Sequence, residues 1–236
     1  MPTGLPHDWD LTITQAIALQ AELAKRVRVA PLRPDIHTVA GVDCAVLGHA
    51  GRWQRRRESP GEGQIIAAAV LCDADTMEVL QVAHCRRVLR FPYVPGLLSF
   101  REAPAVIEAV GRLSRPPDLL MCDGQGLAHP RGLGLACHVG LWLDVPTIGV
   151  AKSRLCGRHR PLGPRRGCKV QLKHNGKIVG AVLRTRDNVK PLYISVGHHV
   201  TLDDAVTWTL RCGRGFRLPE PTRQADQAVG RLKHMR

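Results

Sequence analysis

Asp118-Leu-Leu-Met-Cys-Asp-Gly-Gln-Gly126 reads as a short apolar strand that ends on an aspartate and breaks into a glycine-rich turn. A helix is predicted around Leu133 to Leu143, and a second short strand at Pro146 to Ala151. Strand, helix, strand in that order implies parallel pairing through a crossover. Upstream the pattern differs. Ile36 to Leu47, Gln64 to Cys72 and Glu78 to Val88 are strand-like, with Asp73 to Thr76 as a turn. Residues 48–63, polar and rich in Gly and Arg, read as a loop. Three consecutive strands of this kind predict an antiparallel meander. The predicted fold is therefore α/β, a mixed central sheet with a meander followed by strand–helix alternation, flanked by helices.

The remaining segments fit that frame. Residues 13–27 place Ile13, Ile17, Gln20, Ala24 and Val27 at helical spacing, with Ala16 and Leu23 beside them. Residues 91–98 hold Pro92, Pro95 and Gly96 and read as a shaped loop, followed by a helix to Leu113. Strands at Ile178 to Leu183 and Leu192 to Val196 precede helices near 202–212 and 222–232. No repeat or boundary divides the chain, so one domain over 1–236 is expected.

Composition narrows the function. Of 34 basic residues 27 are Arg, and the formal net charge is +14. Arginine forks match phosphate oxygens two at a time, and the excess of base over acid points to a polyanionic partner. Eight cysteines include no C-x-x-C pair, which argues against a zinc ribbon and for reduced, buried thiols. No apolar run is long enough to span a membrane. Met1 to Asp10 shows no basic segment followed by an apolar block, so a cytoplasmic location is expected.

Three carboxylates stand out. Asp43 lies mid-strand in Val39-Ala-Gly-Val-Asp-Cys-Ala-Val-Leu47, where both faces look buried and the small neighbours Gly41 and Ala45 leave room. A carboxylate there is costly unless paired or metal-bound. Asp123 sits at a strand's C-terminal end, where α/β proteins place ligands. Its turn is not a dinucleotide loop, because position 129 is His129 and not the third glycine. Glu102 forms a capping-box pattern with Ser99, but Pro104 falls beyond a first turn started there, so the helix is expected to begin later or to kink. Thr201 and Asp204 read as an ordinary capping box. Carboxylates from separate elements in a basic protein suggest a divalent metal site for phosphodiester chemistry.

Two further features suit nucleic acid. Residues 152–177 carry nine basic residues and no acid, Arg165 and Arg166 among them, and form a candidate phosphate track. Tyr93, held between prolines in an aromatic-poor chain, is a candidate to enter a base stack.

Phe91-Pro-Tyr-Val-Pro-Gly-Leu-Leu-Ser-Phe-Arg-Glu102 resembles a signature of the endonuclease V family, the deoxyinosine 3′ endonucleases. So do Leu119 to Arg131, Pro146-Thr-Ile-Gly-Val-Ala-Lys152 and Leu218-Pro-Glu-Pro-Thr-Arg-Gln-Ala-Asp226. The resemblance implies a ribonuclease H-like fold. It implies Mg²⁺, with Mn²⁺ able to substitute, at Asp43 and Asp123, and Glu102 as the third carboxylate. Tyr93, Val94 and Pro95 fall on a strand-separating wedge. Gly96, Leu98, Gly124 and Gly126 match positions lining a flipped-base pocket. His129 and Lys152 match residues near the site, Lys152 with a catalytic role, and Asp226 matches a position near the metal. The implied activity is cleavage of the second phosphodiester 3′ to deoxyinosine in DNA. Inosine-containing RNA is an alternative substrate, and another ribonuclease H-like nuclease, such as a junction resolvase, or a non-catalytic binder is an alternative function. The loop 52–57 and the stretch 154–169 have no assigned counterpart.

Overall fold

The computed structural model describes residues 7–47 and 63–234. The predicted loop 48–63, with its Arg-rich 52–57, lies outside them except for Gly63. Among the described residues, eight strands form one mixed sheet. In chain order the elements are α1 (Ile13–Ala24), β1 (Thr38–Leu47), β2 (Gln64–Asp73), β3 (Val79–Val88), α2 (Leu98–Gly111), β4 (Leu119–Cys122), α3 (Leu135–Leu143), β5 (Thr147–Ala151), β6 (Lys169–His174), β7 (Lys177–Leu183), β8 (Leu192–His198), α4 (Leu202–Arg211) and α5 (Glu220–His234).

The sheet runs β3-β2-β1-β4-β5-β8-β7-β6. β1 to β3 are the antiparallel meander, and β1, β4 and β5 are parallel neighbours. β8, β7 and β6 extend the sheet in antiparallel fashion. This is the mixed α/β arrangement the sequence calls for.

Both faces of the sheet are covered over its central strands, while the outer face of β3 is exposed. In β2, Ile65, Ala67, Ala69 and Leu71 meet α2, with Ala103, Val106 and Val110, while Ala68, Val70 and Cys72 meet Ala225, Ala228 and Val229 of α5. A strand buried on two sides needs a continuous apolar run, which is why its sequence shows no alternation. α4 packs Ala205, Val206 and Trp208 on the β4, β5 and β8 side of the same face as α5. Among the described residues, no helix is long and apolar enough to cross a membrane.

Several boundaries differ from expectation. α1 ends at Ala24, with Lys25 as its C-cap, so Val27 lies beyond it. α2 begins at Leu98 and carries Pro104 inside it, without a side-chain cap. Ser99 makes no capping box with Glu102, because it is buried and its Oγ pairs with His138 Nδ1 at 3.1 Å. The stretch 152–177, read as loop, contains β6, which pairs with β7 through the Asn175-Gly176 turn. Its Lys and His residues face outward at a sheet edge, which hid the strand in a basic run. The Thr201–Asp204 capping box is present. All eight cysteines are free, and Cys72, Cys85, Cys122, Cys137 and Cys212 are buried.

Candidate active site

The sheet register builds the site. Val42 pairs with Cys122, and Asp123 N–H then donates to the Val42 carbonyl at 3.2 Å. Asp43 and Asp123 therefore follow one another across two adjacent parallel strands. Side chains alternate along a strand, so Asp43 shares its face with Ala45, and Asp123 shares its face with Met121. Both point to the layer of α4 and α5.

α5 comes in very close. A Cβ on Gly41 would lie 2.1 Å from the carbonyl carbon and oxygen of Pro221. The room that Gly41 was expected to leave beside Asp43 is filled by the start of this helix. Seated there, α5 brings Asp226 over the strand ends. Carboxylate oxygens of Asp43, Asp123 and Asp226 lie within 4.8 Å of one another. Asp226 thus joins the two strand aspartates.

Lys152 follows β5 on the same face. Its Nζ is 2.5 Å from Asp123 Oδ2 and 2.8 Å from Asp226 Oδ1. Burial works to lower its pKa, but the two carboxylates more than offset this and hold the amine above its usual range. Burial, then the charge of Asp123, pushes Asp43 up to about 7. Asp123 is also raised by burial, with Lys152 opposing.

Glu102 arrives from the other layer, on α2, and is absent from the group of three. Its charge still reaches Asp43 and Asp123, and burial followed by those charges pushes it up to about 8. Three or four carboxylates are gathered here with one ammonium, a surplus of negative charge in a half-buried place.

The turn after β4 is packed tightly. A Cβ on Gly126 would lie 2.0 Å from the Val196 carbonyl oxygen, and Gly126 N–H donates to Ser195 Oγ at 2.8 Å. This glycine is thus required by packing on β8. A Cβ on Gly124 would meet Leu135 at 3.3 Å. Tyr93 is 47% exposed at its loop, next to half-buried Val94. His129 is bonded to the loop before α2. Its Nδ1 accepts from Arg131 N–H, so its Nε2 carries the proton and donates to the Gly96 carbonyl at 3.1 Å. Burial, with the nearby charge of Arg131, lowers His129 to about 4.

The basic stretch divides. His159 lies edge-on to Tyr193, which pairs with Ala151 beside Lys152. Tyr193 packs with Leu172 and Val182 on the face of the sheet opposite Lys152, and Arg158 and Arg160 border a cavity with Gln171 and Lys173 at the β6 edge. Arg166 instead donates to Leu210 O at the end of α4 and its backbone is tied to Asp187. Arg165, next to it, is exposed.

Two side chains escaped the sequence reading. Arg217 Nη2 donates to the Lys152 and Pro191 carbonyls at 2.6 and 2.8 Å. Gln125 Nε2 donates to Ser153 O at 2.8 Å. Together they fix the chain just after β5. Arg217 immediately precedes the Leu218–Asp226 motif, and its position there was the available signal.

A second cluster, Asp144 with His198 and His199, lies at the opposite end of β5. His198 Nδ1 already accepts from Arg28 N–H, which leaves a proton, not a lone pair, on the other nitrogen.

The sequence pattern of the endonuclease V family matches residues 21–227. The chain belongs to the endonuclease V family. It is 47% identical over 231 residues to endonuclease V of Azotobacter vinelandii, covering 98% of this chain and 99% of that protein. The crystal structure of endonuclease V from Streptomyces avermitilis is similar, with a TM-score of 0.84 and 40% identity, covering 97% of this chain and 96% of that one. The fold also matches Ciona intestinalis endonuclease V in complex with a 24mer DNA containing an inosine followed by a ribo-adenosine. That match has a TM-score of 0.76 and 21% identity, over 93% of this chain and 97% of that one. The family is one of metal-dependent nucleases, and the structure gathers an acidic cluster of Asp43, Asp123 and Asp226.

Proposed function

We propose that this chain is a Mg²⁺-dependent DNA-repair endonuclease working as a single endonuclease V-like domain in the cytoplasm. It recognises deoxyinosine and hydrolyses the second phosphodiester 3′ to it, leaving 3′-hydroxyl and 5′-phosphate ends. The observation that carries this reading is the convergence of Asp43, Asp123 and Asp226 on Lys152 beside the 124–126 turn. The inosine-containing DNA bound by the Ciona relative supports the choice of substrate.

The donor set fits a hard divalent ion. It is all carboxylate oxygen, which suits Mg²⁺ or Mn²⁺ better than zinc. Burial first, and then the charge of Asp123, pushes Asp43 up to about 7 against the opposing Lys152, so a cation beside these carboxylates would relieve an unfavourable charge. Asp43, Asp123 and Asp226 would hold the ion, with Glu102 behind them. Bound there, the ion supplies Lewis acidity at the phosphate and a more acidic water.

The chain's own residues do the rest. Lys152 keeps its proton, because the two aspartates hold its pKa high. It offers a fixed positive charge where negative charge builds up on the phosphate oxygens, and it needs no reorganisation to do so. Arg217 and Gln125 hold the backbone on which Lys152 stands. Tyr93, with Val94 and Pro95, fills the gap left when the base leaves the stack. Gly96, Leu98 and Gly124 line the pocket that receives the base, and His129 supports it from behind through the Gly96 carbonyl. Arg158, Arg160, Arg165 and Arg166 bind flanking phosphates.

An end-labelled deoxyinosine duplex, incubated with Mg²⁺ or with EDTA, tests the reading. A cut on the 3′ side in Mg²⁺ alone is expected. Release of free hypoxanthine, or a cut only 5′ to the lesion, overturns it. A matched inosine-containing RNA, run in parallel, reports which nucleic acid is preferred.

A further inference from the structure

Gln20 lies on α1, outside every motif that carries chemistry. It is fully buried. One apolar cluster beside it holds Ala16, Phe91, Leu97 and Phe100. The other holds Leu23, Leu133, Cys137 and Leu141. An amide in such a place is costly unless its donors and its acceptor are all paired.

They are all paired. Nε2 donates to the Gly96 carbonyl at 3.0 Å and to the Leu133 carbonyl at 2.8 Å. Oε1 accepts from Arg131 Nε at 2.5 Å. Arg131 Nη2 turns to the same Gly96 carbonyl at 2.7 Å. With His129 Nε2 at 3.1 Å, three donors converge on that one oxygen. The two lone pairs of a carbonyl are more than occupied. Nothing local to residues 91–98 calls for so many donors at Gly96.

The two carbonyls that Gln20 joins belong to different segments. Gly96 is in the loop before α2, and Leu133 closes the segment that leaves the 124–126 turn. One planar amide donates to both, so the distance between the segments is set by the span of its two N–H groups. We propose that Gln20 is a positioning residue for base recognition, a staple that fixes the width of the pocket between Gly96 and Gly124. This rests on the reading above that these positions receive the flipped base. A pocket of fixed width leaves the polar edge of a wrong base unpaired and so rejects it. A pocket free to widen lets water or a shifted base satisfy that edge, and discrimination falls.

Gln20→Glu tests this with the least change of shape. The carboxylate keeps an acceptor for Arg131 but has no donor for Gly96 or Leu133. Gln20→Met, which fills the same space with no polar atom, is made alongside so that a folded variant is in hand, and melting temperatures are recorded for both. Binding to single strands carrying deoxyinosine, or deoxyguanosine at the same position, is measured in Ca²⁺. Single-turnover cleavage is measured in Mg²⁺. The expected result is a fall of about tenfold or more in the deoxyinosine-to-deoxyguanosine ratio, with affinity for the deoxyguanosine strand kept. A role in stability alone lowers both affinities together. An unchanged ratio in a folded variant therefore overturns the staple. A wild-type protein with no preference for deoxyinosine overturns the substrate reading instead, and the staple with it.

Discussion

Replacing Gly41 by Ala adds one methyl group at the tightest contact between the sheet and α5. The new carbon would stand 2.1 Å from two backbone atoms of Pro221 and 2.4 Å from Thr222 N. Carbon atoms in contact prefer about 3.5–4.0 Å, so the helix start must retreat by about 1.5 Å. No flexible side chain can absorb this, because the obstacles are main-chain atoms. α5 rests on the sheet through small residues, Ala225 and Ala228 against Ala45 and Ala68, which leave no slack. A gap of about 0.5–1 Å forfeits a quarter to a half of each contact, and overpacking typically costs about 1–3 kcal/mol. A loss of about 2–4 kcal/mol is expected in urea, as a lower midpoint at unchanged slope. The functional effect should exceed the loss of folded protein. Asp226 rides on the same helix, and its 2.8 Å contact with Lys152 would open. The Mg²⁺ concentration for half-maximal cleavage should rise about tenfold, or about 1.4 kcal/mol. If Gly41→Ala unfolds within about 0.5 kcal/mol of wild type and keeps its metal dependence, α5 does not seat on Gly41 as described.

Four further outcomes are expected. Asp43→Asn should slow cleavage by about a hundredfold or more. Because the folded-state pKa of Asp43 is raised to about 7, its stability contribution is full below the unfolded value and lost as pH rises through 7, so in EDTA at pH 8 the Asn variant should melt higher than wild type, and at pH 4 the gap should close. His138 is buried and held to about 3 by burial and by His7, so its contribution is present above pH 6.5 and lost as pH falls. That amounts to about 2 kcal/mol by pH 5, and His138→Gln should flatten the acid side of a melting profile. Arg158→Ala with Arg160→Ala, like the Arg165→Ala, Arg166→Ala pair, should reduce the salt slope of DNA binding by about one per lost phosphate contact, as fluorescence anisotropy across a salt series would show. Tyr93→Ala should lower single-turnover cleavage of duplex deoxyinosine more than of single strands, because less unstacking is needed in the latter, and equal losses would make Tyr93 a packing residue.

Periodicity carried most of the fold into view. The meander and the alternation were both legible, because each strand's apolar pattern reflects one or two covered faces. β6 was not, since an edge strand with Lys169, Lys173 and His174 looks like a solvated loop until its partner β7 is known. Asp43 and Asp123 were legible as carboxylates placed where apolar residues belong. Asp226 was not legible without the family resemblance, because on a helix as polar as α5 nothing in the pattern marks one acid among the rest. Gln20 counted toward a helical stripe and passed as one more position on it. Its partners, Gly96 and Leu133, are remote in sequence and contribute only backbone, which leaves no side-chain signature to read. Arg217 was hidden in the same way, since it acts on main-chain carbonyls.

The seating of α5 on β1 also bears on how the protein comes to be made. Asp43 belongs to the first of the described strands to leave the ribosome, and Asp226 to the last of the described helices. Until that helix emerges, Ala45, Ala68, Val70 and Cys72 form a bare apolar strip on the sheet. The same delay keeps Asp226 away from Asp43 and Asp123, so a nascent chain has its 91–98 loop and its β6–β7 pair before its acidic trio is complete. Such an intermediate lacks one of the three carboxylates that the folded chain gathers. Completion of the apolar layer and completion of the acidic trio are one event in synthesis, and a chain stopped short of α5 forfeits both together.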